Sequence, residues 1–350
     1  MNINFLIVKI FSLTFLSFVI AMLWTPLLTH FLYKYKLGKQ IRTSDTAPVF
    51  SQLHQKKSGT PSMGGILIWV TVLVLSVLLY YLSQWFDGFF ASFNFLTRPQ
   101  TLLPLGALVA AALVGLLDDF LGIRKIGPYG GGLSVKHRLL VYTLIAVAVA
   151  LWFFFRLNWD IVRIPFVGNF SIGLWFIPLV IFIVVATAFS VNEIDGLDGL
   201  AGGTLLIAFL AYGAIAFAQG KYDLVAFCGV IGGALLAFLW FNITPARFFM
   251  GDTGAMSLGV TLAIIAILTN SIFLLPIIGF MFVVESLSVI IQVLYKKIRK
   301  KKLFLSTPIH HHFEAKGWPE AKVVMRFWMV SGVMTIIGLV LFLMDRQGWH

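Results

Sequence analysis

Long apolar runs, broken at short intervals by polar or Gly/Pro clusters, dominate this chain. A helix that crosses a bilayer needs about 20 such residues. Runs at 5–30, 64–85, 101–117, 139–157, 172–190, 199–218, 224–241, 255–270, 272–295 and 327–344 predict ten spans. They leave little chain for anything outside the membrane. Residues 1–350 are therefore expected to form a single all-α, polytopic membrane domain. The first run is longer than the roughly 7 to 15 residue core of a secretory signal and is expected to stay as a span. Gly202, Gly203, Gly229, Gly232 and Gly233 fall inside spans, where small residues let helices approach closely.

Composition sharpens this picture. The 350 residues are 59% hydrophobic and 11% charged, with mean hydropathy +0.95. Soluble domains carry about 25% charge, so a soluble fold is excluded. The single cysteine, Cys228, rules out an intrachain disulfide and a cysteine zinc site. Twenty of the twenty-six basic residues fall on one face of the predicted topology, from Lys34, Lys36, Lys39, Arg42, Lys56 and Lys57 through Arg124, Lys125, Lys136, Arg138 and Arg247 to Lys296–Arg326. The basic face of a membrane protein is cytoplasmic, so both termini are expected outside. The net charge of +12 then reads as topology and attraction to anionic lipid rather than nucleic-acid binding.

The acids are more informative. A carboxylate at mid-helix costs roughly 2.5 to 3.5 kcal/mol on insertion scales, so its retention needs a reason. Asp118 and Asp119 close the third span, Asp195 and Asp198 fill the turn after the fifth, and Asp252 precedes the eighth. Asp118 and Asp119 stand at a helix C-terminus, where the dipole disfavours them. Consecutive residues diverge by about 100° on a helix, so one of the pair should point into a site and the other support it. Asp195 and Asp198 would share one face if the next helix began there. Thr253 is a candidate helix cap. Acids at one depth suit magnesium, which takes one or two carboxylates plus water and phosphate oxygens. Lys57 and Arg138 could bind phosphate. His310, His311 and His312 are consecutive, a poor arrangement for one zinc ion; phosphate, sugar or proton handling fits them better.

The motifs GTPSMGG at Gly59, LVGLLDDF ending at Phe120, DGLDGLAGG at Asp195, FFMGDTGAMSLG at Phe248 and PIHHHFEAKGWPE at Pro308 appear in the order found in the polyprenyl-phosphate N-acetylhexosamine-1-phosphate transferases. The chain resembles that family over about residues 35–330, and PIHHHFE with GWPE resembles its muramoyl-pentapeptide branch. The resemblance implies transfer of phospho-N-acetylmuramoyl-pentapeptide from UDP-MurNAc-pentapeptide to undecaprenyl phosphate in the bacterial cytoplasmic membrane. Lipid I would form and UMP would leave, with Mg2+ as cofactor and a homodimer as one assembly open to it. Carried over by position, Asp252 is the metal aspartate and Asp118 the acceptor of the lipid phosphate's proton. Asp119, Asn192, Asp195, Asp198 and Asn242 line the cleft. Lys57 is a catalytic lysine, Gln292 a nucleotide contact, and His310–His312 a loop over the sugar-nucleotide. Ser62 stands where the family has threonine, and Glu193–Ile194 where it has Leu-Thr.

Chemistry and resemblance agree, because a lipid phosphate and a soluble nucleotide must meet at the membrane interface. Direct attack by the lipid phosphate with Asp118 assisting is the favoured route, with a phosphoryl-enzyme intermediate as the other. Two rival readings are a GlcNAc-1-phosphate transferase of the same family and an ion-coupled transporter. The transporter predicts ionisable groups deep in the bilayer, and Glu285 alone fits it.

Overall fold

The computed structural model describes residues 3–38, 57, 59–86, 88–128 and 131–347. Lys39, Arg42, Asp45 and Lys56 lie outside the described residues. The helices are α1 (Ile3–Lys34), α2 (Ile66–Trp85), α3 (Phe89–Phe93), α4 (Pro99–Ile123), α5 (Val135–Leu151), α6 (Phe176–Ile194), α7 (Leu200–Ala218), α8 (Tyr222–Asn242), α9 (Gly251–Leu268), α10 (Leu275–Ile278), α11 (Phe280–Arg299), α12 (Ile309–Ala315) and α13 (Glu320–Gln347). Nine helices among the described residues are long and apolar enough to cross a membrane.

The tenth expected span is broken. The segment Ile272–Ile278 and α11 meet at Gly279 with a bend of 80°. Gly279 stands at the break, where a Cβ would lie 2.9 Å from the Phe282 ring and 3.0 Å from Leu275 O. Beyond the bend, α11 carries Leu287, Ile290, Ile291, Val293, Leu294 and Ile298 exposed and ends in Lys296, Lys297 and Arg299. A second feature without a counterpart in the predicted spans is an antiparallel hairpin, β1 (Ile161–Ile164) with β2 (Gly168–Ser171), between α5 and α6.

Burial is graded across the bundle. The apolar window of α9 is 94% buried, whereas those of α1 and α13 are 28% buried. Helix α9 packs mainly on α4 and α6, α8 on α1 and α7, and α13 on α7. The outer helices turn large apolar side chains outward, such as Phe11, Phe15, Leu23 and Leu27 on α1. In lipid this exposure carries no hydrophobic penalty, and association rests on close packing instead.

Glycines set the approach of α9. A Cβ at Gly65 would lie 2.3 Å from the Gly254 Cα, and one at Gly115 would lie 2.4 Å from the Asp252 carbonyl oxygen. Two expected motifs, GTPSMGG and FFMGDTG, are thus locked backbone to backbone. The segment continues this lock through Gly64 N to Phe249 O at 2.7 Å and Gly65 N to Met250 O at 2.8 Å.

Candidate active site

The lock brings the start of α9 against the end of α4, and Asp119 exploits that. Its two carboxylate oxygens accept the backbone N–H groups of Asp252 (3.1 Å) and Thr253 (3.0 Å), with the Ser62 hydroxyl donating at 3.3 Å. Asp119 therefore caps α9 from another helix, where the dipole favours a negative charge. Thr253, the expected cap, is instead fully buried: its hydroxyl donates to Ala112 O at 2.8 Å and accepts from the Trp69 indole at 3.2 Å. Gly251 has φ +73°, and a Cβ there would lie 2.5 Å from an Asp119 oxygen, so only glycine admits this cap.

Asp118, one residue earlier on α4, points elsewhere. Its Oδ1 accepts Leu133 N at 2.6 Å and its Oδ2 lies 2.6 Å from Arg138 Nε. A Cβ at Gly132, φ +83°, would crowd Oδ1 at 2.8 Å, which explains a glycine in that loop. The same guanidinium puts Nη2 at 3.0 Å from Asp252 Oδ2 and donates from Nη1 to Asn192 Oδ1 at 3.4 Å. Asn192 in turn donates to Asp252 Oδ1 at 2.5 Å. Four elements, α4, α5, α6 and α9, thus converge on one cation shared by Asp118, Asp252 and Asn192.

A second cation lies beside it. Lys57 Nζ lies 2.6 Å from Asp198 Oδ1 and 2.5 Å from Glu320 Oε1, and Glu320 Oε1 also accepts Asp198 N at 2.8 Å. Asp198 Oδ2 accepts Ala246 N at 3.1 Å. Asp195 accepts Gly251 N at 3.2 Å. Asp195 and Asp198 do not share a helix face as expected. Helix α6 stops at Ile194, residues 195–199 form a turn, and α7 starts after Gly199 at φ +81°. The two acids diverge, one to the start of α9 and the other to Lys57. Asn242 holds this turn, accepting Gly199 N and donating to Phe248 O, both at 2.9 Å.

The histidines flank the turn. His310 is fully buried with Nδ1 at 3.0 Å from Glu285 Oε1, also fully buried. A Cβ at Gly196 would lie 2.2 Å from His310 Nε2, so glycine lets the ring seat on the turn. Burial alone would lower the His310 pKa, but Glu285 overrides it and holds the imidazole above its ordinary value. His311 Nδ1 lies 2.7 Å from Glu314 Oε2. His312 accepts Leu305 N at 3.1 Å, and burial and then Lys316 push its pKa down. Gln292 holds the neighbouring loop: its Oε1 accepts Leu303 N and Phe304 N at 3.0 Å, and its amide donates to Phe304 O at 3.1 Å.

Sequence reasoning missed Glu320 and Glu285 as parts of this network. Glu320 ends the GWPE motif, so its signal was present in the sequence. Glu285 carried none toward His310, because only the bend at Gly279 and the fold of the following loop bring them together.

Among the described residues, no three His, Cys, Asp or Glu side chains converge on one metal position. Asp118 and Asp252 nevertheless face a common cation from two helices. That donor set fits magnesium, which needs one or two protein carboxylates and otherwise takes water and phosphate oxygens.

The chain is an all-α polytopic membrane protein, and its sequence is that of a phosphosugar transferase. Residues 101–270 match glycosyl transferase family 4, and residues 57–68 match the phospho-N-acetylmuramoyl-pentapeptide-transferase signature 1. The chain is 40% identical over 340 residues to the phospho-N-acetylmuramoyl-pentapeptide-transferase of Chloroflexus aggregans, covering 93% of this chain and 88% of that one. It is 39% identical over 326 residues to that of Bacillus subtilis, covering 93% and 95%. The Geobacillus sp. protein of the same name is 39% identical over 327 residues, covering 93% and 95%. The chain belongs to the phospho-N-acetylmuramoyl-pentapeptide-transferase family.

Proposed function

We propose that this protein transfers phospho-N-acetylmuramoyl-pentapeptide from UDP-MurNAc-pentapeptide to undecaprenyl phosphate, forming lipid I and releasing UMP at the cytoplasmic face of a bacterial inner membrane. Family membership supports the reaction. The observation that carries the site is the single guanidinium of Arg138 shared by Asp118 and Asp252. The excess of basic residues on one face supports a cytoplasmic cleft with both termini outside, and in this reading residues 1–350 act as one domain.

In this reading a lipid phosphate oxygen bonds to the sugar-bearing phosphorus. The bond from that phosphorus to the bridging oxygen breaks, leaving its electron pair on UMP. Asp118, oriented by Leu133 N, takes the lipid phosphate's proton on the carboxylate that faces Arg138. Arg138 and Lys57 balance phosphate charge. Asp119, Asp195 and Asn242 act through the backbone: they fix the start of α9 and the turn before α7, so that Asp252 and Asp198 keep their places. Gln292 and the histidine helix shape the nucleotide side. Magnesium held by Asp252 would neutralise the diphosphate and stabilise the leaving group.

The test is UMP release by purified protein given UDP-MurNAc-pentapeptide, undecaprenyl phosphate and magnesium, against the UDP-GlcNAc control. Turnover should need all three components. Equal turnover of UDP-GlcNAc would assign the other branch of the family, and a labelled phosphoryl-protein formed without lipid would replace direct attack by the two-step route.

A further inference from the structure

A cavity of about 490 Å3 opens where the last turns of α1 meet the end of α8 and the α8–α9 loop. Its polar side is His30, Lys34 and Arg247; its apolar wall is Pro26 and Phe241. Among the described residues, no carboxylate lies within ion-pair distance of these three basic side chains. Arg247 stands over the Phe241 ring at 5.7 Å, and its carbonyl accepts the Tyr33 hydroxyl at 2.9 Å. Below the cavity, α1 turns Leu23 and Leu27 outward, each at least 70% exposed.

We propose that this cavity binds the phosphodiester headgroup of an anionic bilayer phospholipid. The positive side chains meet the phosphate, and the first acyl carbons follow the apolar wall onto Leu27 and Leu23. Two features select a lipid over a soluble anion. The cavity opens at the end of a membrane-crossing helix, and Pro26 of its wall is flanked on that helix by the outward-facing Leu23 and Leu27. The site also touches the catalytic network. Ala246, next to Arg247, donates its N–H to Asp198, and the Phe249 ring lies 5.9 Å from Lys57 Nζ. A lipid that holds Arg247 therefore steadies the loop that positions Asp198 and Lys57.

The experiment reconstitutes the full chain in phosphatidylcholine nanodiscs with or without phosphatidylglycerol and counts retained lipid by native mass spectrometry. Wild type should retain phosphatidylglycerol over phosphatidylcholine. The double variant Lys34→Gln/Arg247→Gln should lose roughly thirtyfold of that preference, the factor for two basic groups at about 1 kcal/mol each. Lys34→Gln alone leaves the α8–α9 loop intact and should lose about fivefold. Turnover in pure phosphatidylcholine should be equal for wild type and Lys34→Gln, and added phosphatidylglycerol should raise it in wild type more than in Lys34→Gln. Unchanged phosphatidylglycerol retention in Lys34→Gln, or displacement of the lipid by millimolar inorganic phosphate, overturns the proposal. The retention measurement does not depend on the reaction assigned above, so binding without turnover would count against that reaction and not against this site.

Discussion

The two ends of this helical bundle use charge differently. At the end opposite the acids, Arg163 and Lys9 each face one carboxylate among the described residues. Asp345 takes Arg163 Nε at 2.6 Å on one oxygen and Phe166 N at 2.7 Å on the other. Lys9 donates to Asn94 O at 3.0 Å and lies 3.6 Å from Asp223, whose other oxygen accepts the Thr97 hydroxyl. These contacts tie loops and helix ends together. At the acidic end, Arg138 serves two carboxylates and an amide, and Lys57 serves two carboxylates. Carboxylates outnumber cations in both clusters, so the site keeps unneutralised negative charge that suits a divalent cation arriving with phosphate. Matched pairs give stability; shared ones leave charge for an arriving cation to balance.

The largest test of this contrast removes a shared carboxylate. Asp252→Asn keeps the shape and should cut UMP release by about a thousandfold, the scale of a lost electrostatic stabiliser, with the melting temperature nearly unchanged. Retained turnover would take Asp252 out of the site. Arg138→Ala should cost about a hundredfold, and Arg138→Lys should recover part of it, because an ammonium supplies charge without the fork that reaches three partners.

The third test crosses the two ends. Asp345→Asn and Asp119→Asn should each destabilise the fold by about 1 to 3 kcal/mol, the cost of weakening buried charged hydrogen bonds. Asp345→Asn should leave turnover per folded molecule unchanged, whereas Asp119→Asn should lower it by displacing Asp252. Equal turnover losses in both would erase the distinction. The smallest effect concerns pH. His310 has its pKa raised in the fold, so its pairing with Glu285 contributes fully below the unfolded value near 6.5 and is lost as pH rises through the higher folded value. Thermal stability measured from pH 6 to 9 should fall over that window, and Glu285→Gln should flatten the fall.

Much of this was legible in the chain. Apolar run length places the spans because the bilayer enforces it, and the acids at helix ends stand out because their insertion is costly. Contacts set by backbone shape were not legible. The spacing of Asp195 and Asp198 suggested one helical face, but the chain turns through residues 195–199, with Gly199 at φ +81°, before α7 begins. Thr253 had the chemistry of a cap, yet a carboxylate from α4 took that place because Gly115 lets the two helices touch. The 80° bend at Gly279 lay hidden within an apolar run whose hydropathy is the same bent or straight. Arg138 was legible as a candidate phosphate binder, but its bridge between Asp118 and Asp252 appears only where four helices meet.

The glycine contact between α2 and α9 has a mechanical consequence. With Gly65 and Gly254 packed backbone against backbone, no side chain of either residue separates α2 from α9, and the start of α9 that carries Asp252 is held directly against its neighbour. Leu303, Phe304 and Leu305 lie instead on a loop held by two side chains, Gln292 and His312. If substrate enters past that loop, cross-linking it to α11 should stop turnover without disturbing a single carboxylate.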